Sequence, residues 1–449
     1  MADTSTIKRT NTITHPRYGC AIGAAFSVVA IPGAVPIANC GPGCIGKQAG
    51  IITTASQGTA YPGAGNIPSV NWGENEVVFG GAKKLDALIK STLKIMKGDL
   101  FVVLTGCSGE LVGDDVDAVV KKYRNQGYSI VSAGTAGFKG SNLFGHENVS
   151  IAIIDQFVGE FKGRKQKKLI NLWFETPYFN SFWRGDYEEI KRILEGAGFE
   201  VNILFGSLSK GSESWKKIPK ASFNLLISPW VGLKTVKHLE SKYNQPYLHI
   251  PVIPIGEEAT TAFLRQVVEF AGIDKTKSEK FIEEESRQYY NYIEHFANFF
   301  SQYWFGLPSK FAIVGDSTYN TAFTKFLADQ LGLVPLKAII TDNPPEKYRD
   351  QIKEVYHNLT EDDEVSIEPD FLEDGYWIEQ SLKETDFGSE IGVIFGSSWE
   401  KQIAAEKNVK LIETSTPSAN EVVLNRSYIG YKGALTLIEK VYTVAMGNR

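Results

Sequence analysis

Gly19-Cys20, Asn39-Cys40-Gly41-Pro42-Gly43-Cys44-Ile45-Gly46 and Gly106-Cys107-Ser108-Gly109-Glu110 hold all four cysteines of a 449-residue chain. Apolar runs of β type, Ser27 to Ile31, Val35 to Ala38 and Leu100 to Leu104, meet small residues beside them. The pattern predicts each thiol on a turn at the end of an element rather than inside one. A single free cysteine reads as a small core hydrophobe. Four of four among glycines read as a ligand set.

Three outcomes compete for that set. A disulfide framework is disfavoured, because nothing at the N-terminus has a secretory pattern and four cysteines are few to staple 449 residues. Zinc prefers paired C-x2-4-C knuckles, and only Cys40 and Cys44 approach one. Long, uneven spacing with glycine near sulfur suits an iron-sulfur cluster, whose sulfides need close backbone approach and N–H donors. Gly43, Gly106 and Gly137 are the glycines expected to give that approach. Gly41 to Gln48 nearly spells a phosphate-binding loop, but Gln48 stands where a magnesium-holding hydroxyl is required, so a glycine turn entering a helix is expected instead.

Composition bounds the rest. The length predicts two or three α/β domains. Apolar content of 43%, charged content of 22% and a net charge of −5 describe an ordinary globular chain with no field for nucleic acid or anionic lipid. No run approaches the roughly 18 to 20 apolar residues of a membrane span, and a cytoplasmic protein is expected.

Along the chain, residues 1–15 read as a flexible N-terminus and 16–165 as the cysteine-bearing domain. In the latter, strand Leu100 to Thr105, the Cys107 turn, a helix from Asp114 to Gln126 and strand Tyr128 to Ser132 lead to the glycine-rich loop Gly134 to Ser141. Lys162 to Lys168 is a solvated connector to a second α/β domain, 166–275. Its strands are expected at Leu169 to Phe174, Glu200 to Phe205, Phe223 to Ile227 and Leu248 to Ile253. A connecting helix at 276–305, read over Ser278 to about Trp304, carries aromatics at helical spacing, a packing stripe. The third domain, 306–449, repeats strand and turn at Lys310 to Asp316, Leu336 to Thr341, Ile391 to Phe395 and Leu411 to Glu413. None of these turns has the G-x-G-x-x-G of a dinucleotide site.

Pro16-Arg17-Tyr18-Gly19-Cys20, Gly41-Pro42-Gly43-Cys44, Glu74 with Val78-Phe79-Gly80-Gly81, and Cys107 through Asp115 together resemble the nitrogenase component 1 superfamily, over almost the whole chain. The resemblance implies three doubly wound parallel-sheet (Rossmann-like) domains around a central cleft. It implies that Cys20, Cys44 and Cys107 hold half of an iron-sulfur cluster shared with a partner subunit, of the 8Fe-7S P-cluster type or 4Fe-4S. Cys40 is extra and a possible further ligand. Gly137 stands at the nearest match to an extra serine ligand of one nitrogenase subunit.

Catalytic α-type subunits hang their metal cofactor from a cysteine and a histidine. The matching segments here, Asn224 to Trp230 and Glu413 to Tyr431, contain neither. Ser228-Pro229-Trp230, Glu110 and Tyr428 to Ala434 look β-type, whereas Gly137 to Gly140 with Gly145-His146 is closer to the α-type loop. The resemblance makes His146 a candidate proton donor, beside the plainer reading of a structural histidine. Glu74 and Glu110 are candidates for orienting the ligand shell or carrying protons, beside that of carboxylates at helix starts. The implied assembly is an α2β2 heterotetramer with an α-type partner, served by an ATP-hydrolysing iron protein as electron donor. A scaffold for assembling a metal cofactor and a redox-inactive structural partner are the alternatives. Dinitrogen, a thioether carbon-sulfur bond and a tetrapyrrole ring remain open as substrates.

Overall fold

Runs of apolar residues flanked by turn residues become strands buried on both faces, which is the signature of parallel sheets covered by helices. The computed structural model describes residues 14–55, 67–303, 307–360 and 364–446. The expected N-terminal segment therefore lies outside the described residues up to 13, as does Trp304. Among the described residues there are three parallel sheets. The first, β1 (Ala34–Asn39), β2 (Leu100–Thr105) and β3 (Ile130–Gly134), runs in the order β1-β2-β3. The second contains β4 (Gln166–Trp173), β5 (Glu200–Asn202), β6 (Ala221–Ile227) and β7 (Tyr247–Ile250) in the order β5-β4-β6-β7. The third contains β8 (Lys310–Gly315), β9 (Val334–Ile340), β10 (Asp370–Phe371), β11 (Gly392–Gly396) and β12 (Lys410–Glu413) in the order β10-β9-β8-β11-β12. Every pairing between these strands is parallel. The expected fold class, α/β with three doubly wound parallel-sheet units, is the one observed. Their central cleft is a cavity of about 670 Å³ walled by Cys20 and Gly137 from the first unit, Trp230 and Lys234 from the second, and Asp342 and Tyr348 from the third.

Several elements differ from expectation. Ser27 to Ile31 is not a strand: Ala25–Val29 is helical and almost wholly buried. A short apolar run buried on all sides has no period that separates the two states. Cys107 opens the helix Cys107–Val112, which Gly113 ends at a left-handed φ of 79°. A second helix, Val116–Arg124, then starts from Asp115, whose side chain accepts from Ala118 N. Gln166, Lys167 and Lys168 belong to β4, with only Leu169 onward buried. The connecting helix is Thr276–Tyr303. Phe296 of that helix packs at 4.8 Å on Tyr442. The C-terminal helix Gly430–Met446 packs on Trp183–Gly196 and Glu257–Ala271 of the second unit as well as on β12, so it bridges units rather than belonging to the third alone. Among the described residues no helix is long and apolar enough to cross a membrane.

The Cys20 segment is fastened from both sides. Asn142 N donates to Gly19 O at 2.9 Å and Gly19 N to Asn142 Oδ1 at 2.9 Å. Buried Arg17 donates to Ser397 Oγ at 2.8 Å and forms an ion pair with Glu400, both beyond the end of β11. Helix Asn142–Ile153 approaches so closely that a Cβ on Gly145 would lie 2.0 Å from Ala21 O. Gly145→Ala is expected to lower stability by about 1–3 kcal/mol, the usual cost of overpacking a close contact, as read from the denaturant midpoint.

Candidate metal centre

Register assembles the thiols. Asn39 pairs with Thr105, and Thr105 with Gly134, so β1, β2 and β3 end in one row. The turns beyond the three strands are therefore side by side: Cys40 to Cys44, Gly106-Cys107, and Thr135 to Gly137. Cys44 starts the helix Cys44–Ala55, Cys107 starts Cys107–Val112, and Cys20 caps the short helix Ala21–Ala24. Each thiol thus stands at a helix N-terminal end, where backbone N–H groups favour the thiolate.

Gly137 lies between the sulfurs of Cys20 and Cys107. A Cβ there would be 3.3 Å from Cys20 Sγ and 3.4 Å from Cys107 Sγ, so a side chain would occupy the space between them. Its N–H donates to Cys107 Sγ at 3.1 Å. Gln48 Nε2 donates to Cys20 Sγ at 3.4 Å, and Gln48 belongs to the helix that Cys44 opens. Burial raises the Cys20 pKa, and the charges of Cys107 and Cys44 add to the rise, which marks all three as near neighbours. Cys40 sits behind them: it is buried, and a Cβ on Gly106 would lie 2.6 Å from its Cβ. Its hydrogen bond to Cys44 holds the Cys44 pKa down to about 6 and pushes its own up, so the proton of the pair rests on Cys40.

Thiolate donors, N–H groups aimed at sulfur and a space left by glycine fit an iron-sulfur cluster. Cys20, Cys44 and Cys107 would hold it. Among the described residues, no group of three or more His, Cys, Asp or Glu side chains forms a site for a lone metal ion.

The other expected site residues divide. Gly106 is required by its contact with Cys40, whereas Gly43 is exposed, with open space where a Cβ would be. Glu110 is occupied: its carboxylate pairs with Lys139, accepts from Thr105 Oγ1, and accepts from Ala136 N at 3.3 Å. Burial would raise its pKa, but the Lys139 and Thr105 hydrogen bonds outweigh that and hold it low. Glu110 therefore braces the loop that presents Gly137. Glu74 is exposed on the helix Glu74–Phe79, which packs against the Cys107 helix. His146 does not wall the cleft. It is buried, 2.8 Å from Ser27 Oγ and against Phe205, and burial alone lowers its pKa to about 4. Gln48 and Lys139 are site residues that sequence reasoning misses. The Cys44-to-Gln48 spacing of one helical turn is the available signal for the first.

The match to known proteins accords with this arrangement. Residues 20–446 match the family model described as nitrogenase component 1 type oxidoreductase. The chain belongs to this family. It is 27% identical to the nitrogenase molybdenum-iron protein beta chain of Methanococcus maripaludis, over 98% of this chain and 96% of that one. It is 24% identical to the beta chain of the same name from Clostridium pasteurianum, over 95% and 91%. It is 26% identical to a subunit of the light-independent protochlorophyllide reductase of Angiopteris evecta, over 78% and 68%. A solved structure titled nitrogenase Cp1 at pH 6.5 shares the fold with a TM-score of 0.80 at 20% identity, over 98% of this chain and 95% of that one. The family resemblance read from the sequence is thus borne out, and the chain is of oxidoreductase type.

Two pH effects are expected of the full-length, iron-free chain. Cys40→Ala removes the donor that lowers Cys44, so the midpoint of Cys44 alkylation against pH should move upward; an unmoved midpoint would remove Cys40 from that role. His146 is neutral when folded but gains a proton once unfolded, so the unfolded state binds more protons between pH 6.5 and about 4. Stability should fall with acid across that window, and His146→Phe should flatten the fall in thermal melts.

Proposed function

We propose that this chain is the β-type subunit of a nitrogenase-like reductase, relaying low-potential electrons from an ATP-dependent iron protein to an active site in an α-type partner subunit. Cys20 and Cys107 meeting at Gly137, with the Cys44 charge felt at Cys20, beside an exposed apolar face, is the observation that carries the proposal. Val78, Phe79 and Leu111 are 69%, 84% and 74% exposed on the two packed helices beside the thiols, and Phe138 next to Gly137 is 58% exposed. Apolar side chains grouped this way mark a surface covered in a complex. Cys107, itself exposed, opens onto that surface.

When bound, an iron-sulfur cluster supplies one-electron redox chemistry at low potential. The chain provides three thiolates, the Gly137 and Gln48 donors that offset their charge, and the Glu110–Lys139 brace that keeps the loop in place. Three thiolates leave part of the ligand shell of a cubane open, and thiolates of a partner on the Phe79–Leu111 face would complete it. The beta-chain relatives support an α2β2 heterotetramer, working in the cytoplasm.

The test is co-expression with a candidate α-type partner and anaerobic purification. Iron and acid-labile sulfide should be lost on Cys20→Ala, Cys44→Ala or Cys107→Ala and mostly kept on Cys40→Ala. Because a shared cluster also ties the subunits together, chelating the iron should lower the mass seen by light scattering. A chain that keeps its iron as a monomer would remove the shared site, and equal loss on Cys40→Ala would make it a four-cysteine site within one chain.

A further inference from the structure

Beneath the cleft lies a second polar site that the cysteines do not explain. Sheets two and three each reverse their strand order, between β4 and β6 and between β8 and β11. Such switch points at the carboxyl ends of parallel strands are where α/β proteins place ligands. Here the two face one chamber of about 40 Å³. Its walls include Glu175 and Thr176 after β4, Ser228 after β6, Asp316 after β8 and Asp342 after β9. Room for water begins at about 10–15 Å³, so the chamber holds about three molecules at most.

The chamber and its back wall carry four carboxyl groups with neutral hydrogen-bond partners. Asn180 donates to Glu175 at 2.6 Å, Tyr319 OH to Asp186, Thr318 N to Asp316 at 3.0 Å, and Ser317 Oγ and Trp230 Nε1 to Asp342 at 2.6 and 2.8 Å. The cations around the cluster are committed elsewhere: Arg17 to Glu400, Arg192 to Glu189 and Glu285, Arg426 to Glu421. The other titratable groups facing the pair are Tyr187, Tyr319, Tyr428 and Glu189. None of them supplies positive charge. Glu175 Oε2, Asp186 Oδ1, Thr176 Oγ1 and Ser228 Oγ are buried without a partner, and all four residues are more than nine-tenths buried. Glu175 and Asp186 lie within hydrogen-bond reach of each other, and although Tyr319 and Ser427 also bond Asp186, no cation offsets the two charges, so the least costly relief is one shared proton.

We propose that Glu175 and Asp186 form a carboxylic acid–carboxylate pair that stores one proton over waters held by Thr176 and Ser228, on the inner wall of the central cleft. Glu175 is the donor in this pair and Asp186 the acceptor, in accord with the strong upward shift of Glu175 under burial and the Asp186 charge. Release breaks the Glu175 O–H bond, leaves two carboxylates and passes the proton to water, with no electron moving. Tyr18 and Asp342 wall both this chamber and the cleft beside Cys20, so the store is one layer from the thiols. Its use, supplying protons to match electrons passing the cluster, rests on the reductase reading; its existence does not.

The test uses the full-length chain without iron, so its result is independent of the cluster. Infrared difference spectra should show a protonated-carboxyl C=O band persisting above neutral pH, shifting in D2O, lost in Glu175→Gln and displaced in frequency in Asp186→Asn, which changes the partner of the Glu175 O–H. The folded state holds a proton that the unfolded state has released, so wild-type thermal stability should fall as pH rises above the ordinary glutamate range. Glu175→Gln, which mimics the protonated group, should melt with wild type at low pH and above it at high pH. A band unchanged in Glu175→Gln, or an identical pH slope, overturns the proposal. So does absence of the band in wild type together with a cation found by metal analysis, which would make the chamber an ion site; the wild-type spectrum decides this even where a variant fails to fold.

Discussion

Three thiols within reach of one another repel once ionised, and the surrounding structure is arranged against that repulsion. Each sulfur stands at the N-terminal end of a helix. Gly137 N–H and the Gln48 amide point at two of them, and Cys40 keeps a proton beside the third. Neutral donors of this kind lower the cost of charge without filling the space between the sulfurs. Their positions depend in turn on parallel register, since only strands ending in one row, at Asn39, Thr105 and Gly134, bring the three turns together. A slip in pairing β1 with β2 would part Cys44 from Cys107 and turn each side chain to the opposite face of the sheet.

Much of this is legible in the residues. Apolar runs separated by turn residues foretell parallel strands, and four cysteines among glycines foretell a ligand set. Ser27 to Ile31 misleads because a wholly buried run carries no period, and Cys107 because Gly109 hides a helix start behind the look of a turn. Gln48 invites attention for the hydroxyl it lacks rather than for the amide it offers. His146 reads in the sequence as a loop residue of useful chemistry; its place in the helix Asn142–Ile153, between Ser27 and Phe205, is a tertiary fact. The C-terminal helix illustrates the same limit, for sequence order assigns it to the third unit while packing shares it with the second.

The carboxyl chamber is not legible at all. Glu175 and Asp186 lie eleven positions apart, on a strand end and a helix, and nothing in that spacing joins them to Asp316 and Asp342. Topology does: the crossovers that reverse strand order in two sheets turn both switch points toward one space. Burying four carboxyl groups among neutral partners does not stabilise a fold, since each charge loses solvation and gains no counterion. Well-packed apolar residues would serve the core better. Their presence points to chemistry rather than to packing. With Tyr18 and Asp342 shared between chamber and cleft, Cys20 and Glu175 line adjoining walls. Charge added at the thiols would then be felt by the acid pair across a low-dielectric interior, where Coulomb interactions are several-fold stronger than in water.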